Sequence, residues 1–209
     1  MPAVPLLLEV CVDSRERLSA ALAGGARRIE LCARLDLDGL SPEPELLEHA
    51  LATCRVPLHV MVRPAPGPFR PASPEFGRML RECEQLARRA PGLVLGLLDH
   101  EERIDLPRTR ELVAAARPAQ VTFHRAFDRV CDFEGGLEQL IELGVSRVLT
   151  SGGAPTAWEG RARLAALVER ARGRIGVLPG GGVRADHARA LAAATGATEL
   201  HSSTPFVLA

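Results

Sequence analysis

The sequence predicts a (β/α)8 barrel of the TIM type, one domain over residues 1–209, with the eighth helix missing or truncated. Three observations predict it. Short runs rich in Val, Leu and Ile alternate with segments of helical period, the pattern of a parallel sheet. The alternation yields eight strand candidates, at 6–12, 27–33, 56–63, 92–99, 119–126, 146–151, 174–179 and 198–203. No linker or low-complexity run divides the 209 residues. An open doubly wound sheet shares the alternation, but eight regular repeats favour closure.

Each element has its own signal. In "LEVCVDS" the apolar face is Leu8, Val10 and Val12, which turns Glu9 and Cys11 inward. The helical stretch "SRERLSAALAGG" follows and stops at Gly25. "IELCARL" repeats the first strand: Ile29 and Leu31 face outward, Glu30 and Cys32 inward. After "PELLEHALATC", the strand "PLHVMVRP" sends His59, Met61 and Arg63 inward. "EFGRMLRECEQLARRA" is the next helix, and strand four is too uniformly apolar to divide by face. "LPRTRELVAAA" leads to "VTFHRAF", which sends Thr122 and His124 inward. "GGLEQLIELG" ends at Gly144, and strands six and seven flank "GRARLAALVERA" without a readable face. "DHARALAAATG" ends at Gly196, before "TELHSS" turns Glu199 and His201 inward.

Only a short tail follows that strand, too little for a full helix. The apolar seam between strands eight and one is therefore expected to be covered by a partner subunit, most simply in a two-fold homodimer. The competing expectation is that residues 1–5 or the last residues fold back over it.

Composition excludes several functions. The 26 basic residues balance 26 acidic ones, so no field directs the chain to nucleic acid or membrane. All the basic residues are arginine, which excludes a Schiff-base lysine and a P-loop lysine. The N-terminus lacks the basic region of a signal peptide, and no run is long enough to span a membrane. The five cysteines, 11, 32, 54, 83 and 131, form no CxxC and imply reduced thiols in the cytoplasm.

The predicted interior is crowded with ionisable groups, where a barrel core is normally branched and aliphatic. Arg63, His124 and His201 are the candidates to compensate its carboxylates, because unpaired buried charge is costly. Two inward cysteines on neighbouring strands, about 4.8 Å apart, can meet across the ladder. Cys11 and Cys32 are then either small buried fillers or a soft thiolate pair that selects Cu(I). Glu9 and Glu30 are expected side by side below them, as an acid/base pair or, beside Arg63, as two ionised groups. In "HRAFD", His124 suits general acid or base work and Arg125 an anion, while Asp128 orients either or caps a helix. "PGGGV" places Gly180, Gly181 and Gly182 where barrels bind phosphate, with Ser202 and Ser203 nearby, although a tight turn needs the same glycines.

Seven segments, "LEVCVDS", "RRIELCA", "VMVRP", "VTFHRAFD", "RVLTSGG", "PGGGV" and "TELHSS", resemble the signature stretches of the CutC copper-homeostasis family, in the family's order. The resemblance implies a TIM barrel, cytoplasmic location, homo-oligomers and a proposed role in Cu(I) binding, whose cysteines fall on Cys11 and Cys32. Two mouth loops depart from the family pattern. Residues Arg63–Phe69 read "RPAPGPF" where relatives read "RPRGGDF", and Asp38 in "DGLSPE" replaces a glycine.

Two functions therefore compete. One is copper binding at Cys11 and Cys32. The other is an enzyme acting on a small anionic or phosphorylated metabolite. In it Glu9, Glu30 and His124 move protons beside Asp128 and His201, while Arg63 and the Gly180–Gly182 loop hold the anion.

Overall fold

A computed structural model describes residues 6–207. Its eight strands are β1 (Leu7–Val12), β2 (Arg28–Leu31), β3 (Leu58–Met61), β4 (Gly92–Leu95), β5 (Gln120–Phe123), β6 (Arg147–Thr150), β7 (Gly176–Pro179) and β8 (Glu199–Ser202). All pair in parallel, in the order β7-β6-β5-β4-β3-β2-β1-β8. Each lies within its predicted run, shortened at the ends where the chain leaves the ladder. Among the described residues β7 and β8 share no ladder bond, so the barrel is nearly closed. They nonetheless touch: a Cβ on Gly180 would lie 3.2 Å from that of His201.

Among the described residues seven helices cover the outside: α1 (Arg15–Ala23), α2 (Pro44–Thr53), α3 (Ser73–Leu86), α4 (Leu106–Ala115), α5 (Phe133–Glu142), α6 (Arg161–Ala171) and α7 (Ala188–Thr195). Short polar side chains start three of them. The Ser14 hydroxyl accepts from the Arg17 amide, the Asp105 carboxylate from Arg108, and Asp132 from Gly135. Gly196 ends α7 with φ 72°, as the glycine stop predicts.

The apolar residues divide into two clusters. The larger lies between sheet and helices and takes the outward strand faces, including Leu8, Val10, Ile29, Leu31, Val60, Val121, Phe123 and Leu200. The smaller, Cys11, Cys32, Met61 and Val94, lies inside the barrel. Strand parity thus read the faces correctly for β1, β2, β3 and β5.

Among the described residues no helix follows β8. The chain instead turns back beside α1, where the Arg17 guanidinium donates to the Ser203 carbonyl and Phe206 packs on the core. The expectation that residues 1–5 cover the seam lies outside the described residues.

One boundary differs from the sequence reading. "HRAFD" does not extend β5; Arg125–Arg129 is a 3-10 turn. The cause is local, because the His124 ring accepts the Ala126 amide at 3.2 Å and bends the chain out of the sheet.

Candidate functional site

Deep in the barrel lies an ion-pair layer. The Glu9 carboxylate is fully buried and accepts from the Arg28 guanidinium and, at 2.7 Å, from His201 Nδ1. Arg28 also reaches Glu199 at 2.6 Å, and Arg147 lies 3.2 Å from the same carboxylate. His59 stands 3.7 Å from Glu9. Burial alone would raise the Glu9 carboxyl, but His201 and Arg28 outweigh it and hold the group well below the usual carboxylate range. Burial opposes the charge on His201, yet Glu30 and Glu9 together raise its pKa. Burial pushes His59 down to about 4, against the pull of Glu9.

Two expectations change here. Arg63 does not neutralise the carboxylates; Arg28 does. Arg63 instead donates to the carbonyls of Leu37 (2.8 Å), Gly39 (2.9 Å) and Gly67 (3.0 Å), bracing two mouth loops. Nor do Glu9 and Glu30 sit side by side below the cysteines. The register pairs Glu9 with Arg28, and Cys11 with Glu30, because neighbouring barrel strands are staggered. Arg28 shares the parity of Glu30, so the sequence did carry its signal.

Above this layer, at the C-terminal ends of the strands, opens a cavity of about 430 Å3. Cys11, Glu30, Met61, His124 and His201 line it from the strand ends; Asp38, Phe69, Arg125, Asp128, Arg129, Gly181, Gly182 and Ser203 line it from the loops. The two thiols do meet: Cys11 Sγ and Cys32 Sγ are 3.3 Å apart, and Cys11 donates to Glu30 Oε1 at 3.1 Å. The bond to Cys32, burial and the Glu30 charge all push the Cys11 thiol well up. Burial, with the nearby Glu9 charge, raises Glu30. Burial, then Arg63, lowers His124 to about 3.

The His124 ring is tightly seated. Phe69 from the loop after β3 lies against it with ring centroids 4.9 Å apart, and Arg63 lies over the Phe69 ring at 5.0 Å. On the other side is Gly96, where a Cβ would come within 2.5 Å of the imidazole Nδ1. Gly92 makes the same room for His59, at 2.3 Å. These two glycines flank Val94 at spacing two, which marks the inward face of β4 that hydropathy alone could not show.

Asp128 is wholly engaged. Its carboxylate accepts from the Thr150 and Ser151 hydroxyls, the Ser151 and Gly153 amides, and Arg125 Nε at 2.8 Å. It therefore orients Arg125 and the loop after β6, whereas Asp132 caps α5. Ser202 is also spent: its hydroxyl accepts the Thr204 amide and has the Val183 and Thr204 carbonyls within reach of its single hydrogen, and Ser203, not Ser202, lines the cavity. Gly181 and Gly182 line the cavity with φ 107° and 70°. Gly180 packs beneath them, with its amide on the Thr150 carbonyl at 3.0 Å.

Fold and site together define a TIM-barrel protein with a ligand-sized polar mouth above a charge-paired floor. The chain belongs to the CutC family, whose model matches residues 6–205. It is 45% identical over 203 residues to a family protein CutC of Xanthomonas axonopodis pv. citri, covering 97% of this chain and 85% of that one. A Caulobacter vibrioides family protein CutC is 43% identical over 204 residues, covering 97% and 83%. Among solved structures, a proposed copper homeostasis protein CutC from Streptococcus agalactiae superposes with a TM-score of 0.90 at 28% identity, covering 95% and 99% of the two chains. A deoxyribose phosphate aldolase from Aeropyrum pernix shares the fold, with a TM-score of 0.67 at 18% identity over 95% and 86%.

Proposed function

We propose that the mouth of this barrel binds Cu(I) through Cys11 and Cys32, in keeping with the copper-homeostasis name of its family. The observation that supports this most directly is the 3.3 Å separation of the two sulfurs, one of which lines the cavity. Soft sulfur donors prefer Cu(I), so the donor set fits the ion. Cys11, Glu30 and His201 offer further ligand atoms within 4.8 Å of one another. His201 gives only its Nδ1 to Glu9, so its other ring nitrogen can serve beside the sulfurs. Because Cys11 is held protonated, loading releases a proton and weakens as pH falls. All five cysteines are free thiols, which suits a reducing cytoplasm. Among the described residues no helix is long and apolar enough to cross a membrane.

Anaerobic Cu(I) titration against a competing chelator tests this. Cys11→Ala combined with Cys32→Ala should abolish the complex, whereas Cys54→Ala and Cys83→Ala should leave it intact. Unchanged affinity in the double variant rejects the site.

One observation favours a second reading, an enzyme acting on a small anionic or phosphorylated metabolite. Glu30 and His124 both line the cavity, and Glu30 Oε2 and His124 Nε2 are buried without a hydrogen-bond partner among the described residues. A single ion on the thiols leaves most of a 430 Å3 cavity unused, and that volume lies in the range of small-molecule sites.

A further inference from the structure

We propose that the mouth cavity binds a small hydroxylated organic anion, its oxygen-bearing end between His124 and Glu30 and its charge against Arg125, Arg129 and the Gly181–Gly182 turn. This rests on the second reading above and names its ligand class.

The argument begins at His124. Its Nδ1 accepts the Ala126 amide, so in the neutral ring the hydrogen must sit on Nε2. Burial and the neighbouring Arg63 keep that ring neutral. Nε2 is therefore a donor, and being buried without a partner among the described residues it requires an acceptor oxygen. The clamp of Phe69 and Gly96 fixes its direction in advance. Glu30 supplies the second orphan. Its Oε1 is occupied by the Cys11 thiol, while Oε2 is unpartnered among the described residues; Glu30 is 3% exposed and His124 4%. Two side chains that line one cavity, each with a buried polar atom unpartnered among the described residues, call for a ligand with at least two oxygen functions.

The arginines of the mouth select charge. Of the acids there, Asp128 has both oxygens spent on Thr150, Ser151, Gly153 and Arg125. Arg125 is thereby held beside the Gly181 turn, where its Cζ would lie 3.5 Å from a Cβ at that position. Arg129 lines the cavity beside the Phe69–His124 pair, with its guanidinium 5.9 Å from the Phe69 ring and Nε 3.2 Å from Glu102. Asp38, the remaining acid, belongs to the loop after β2 across the cavity.

Calorimetry with glycerol 3-phosphate and D-glycerate, against glycerol and inorganic phosphate as half-ligands, tests this. At least one hydroxylated anion should bind ten times more tightly than either half-ligand. His124→Phe, which keeps the ring and loses the N–H, should weaken that ligand about tenfold without changing phosphate. Arg129→Met should weaken both. In the unmodified protein, the ligand should shift the His124 Nε2 resonance in 15N spectra and leave Nδ1 in place, which needs no variant to fold. Tight binding with an unmoved Nε2 resonance and an indifferent His124→Phe overturns the proposal and spares the enzyme reading. Binding no tighter than phosphate alone overturns the proposal as an anion site only. Failure of both hydroxylated anions to bind overturns the two together.

Discussion

The floor and the mouth of this barrel contain the same kinds of residue and use them differently. On the floor, Arg28 and Arg147 face Glu9 and Glu199, and His201 closes the set from above. Opposite charges lie together there, and Glu9 titrates far below an ordinary carboxylate. At the mouth, Glu30 has a thiol for a partner, His124 a backbone amide, and each keeps one polar atom unpartnered among the described residues. Their pKa values move toward the neutral forms. Buried charge thus serves the fold where it is matched, and is available for chemistry where it is not.

The largest expected effect comes from breaking the floor. Arg28→Met leaves Glu9 buried beside one fewer cation and should cost about 3–5 kcal/mol in urea unfolding. Glu30→Gln at the mouth should cost only about 1 kcal/mol, since the glutamine oxygen still accepts from Cys11 and only the pull on His201 is lost. Equal costs for the two would erase the distinction between the regions.

A middle-sized effect separates the two glycines of β4. Gly92→Ala drives a methyl into His59, and Gly96→Ala drives one into His124, so each should cost about 1–3 kcal/mol. Only Gly96→Ala should also disturb ligand binding at the mouth. A silent Gly96→Ala, with the His124 resonances unmoved, would show that the ring is not clamped.

The smallest effect is on pH dependence. Because His59 titrates near 4 in the folded chain, below its ordinary 6.5, the unfolded state binds the extra proton between these values. Its contribution is present above about pH 6.5 and lost as pH falls toward 4. His124, at about 3, acts in the same direction. His201 acts oppositely, its contribution lost as pH rises through its raised value. Thermal midpoints measured from pH 7 to 4.5 should therefore fall, and His59→Gln should reduce the slope.

Much of this was legible in the residues themselves. Alternating apolar runs are a local property of the chain, so the strand order, the seven helices and the inward faces of Glu9, Cys11, Glu30, Cys32 and His124 followed from parity and period. What parity cannot supply is the stagger between strands. A barrel closes only if its strands slide past one another, and that shift set Glu30 level with Cys11 and Glu9 level with Arg28. The direction of a long side chain is likewise decided by what packs around it. Arg63 continues the inward parity of β3 but lies past its end, and its guanidinium reaches the carbonyls of two loops. Sequence alone therefore determined which groups enter the barrel. Which of them neutralise each other, and which are left facing the cavity, only the tertiary structure decided, because both depend on distances of a few ångströms between strands far apart in the chain.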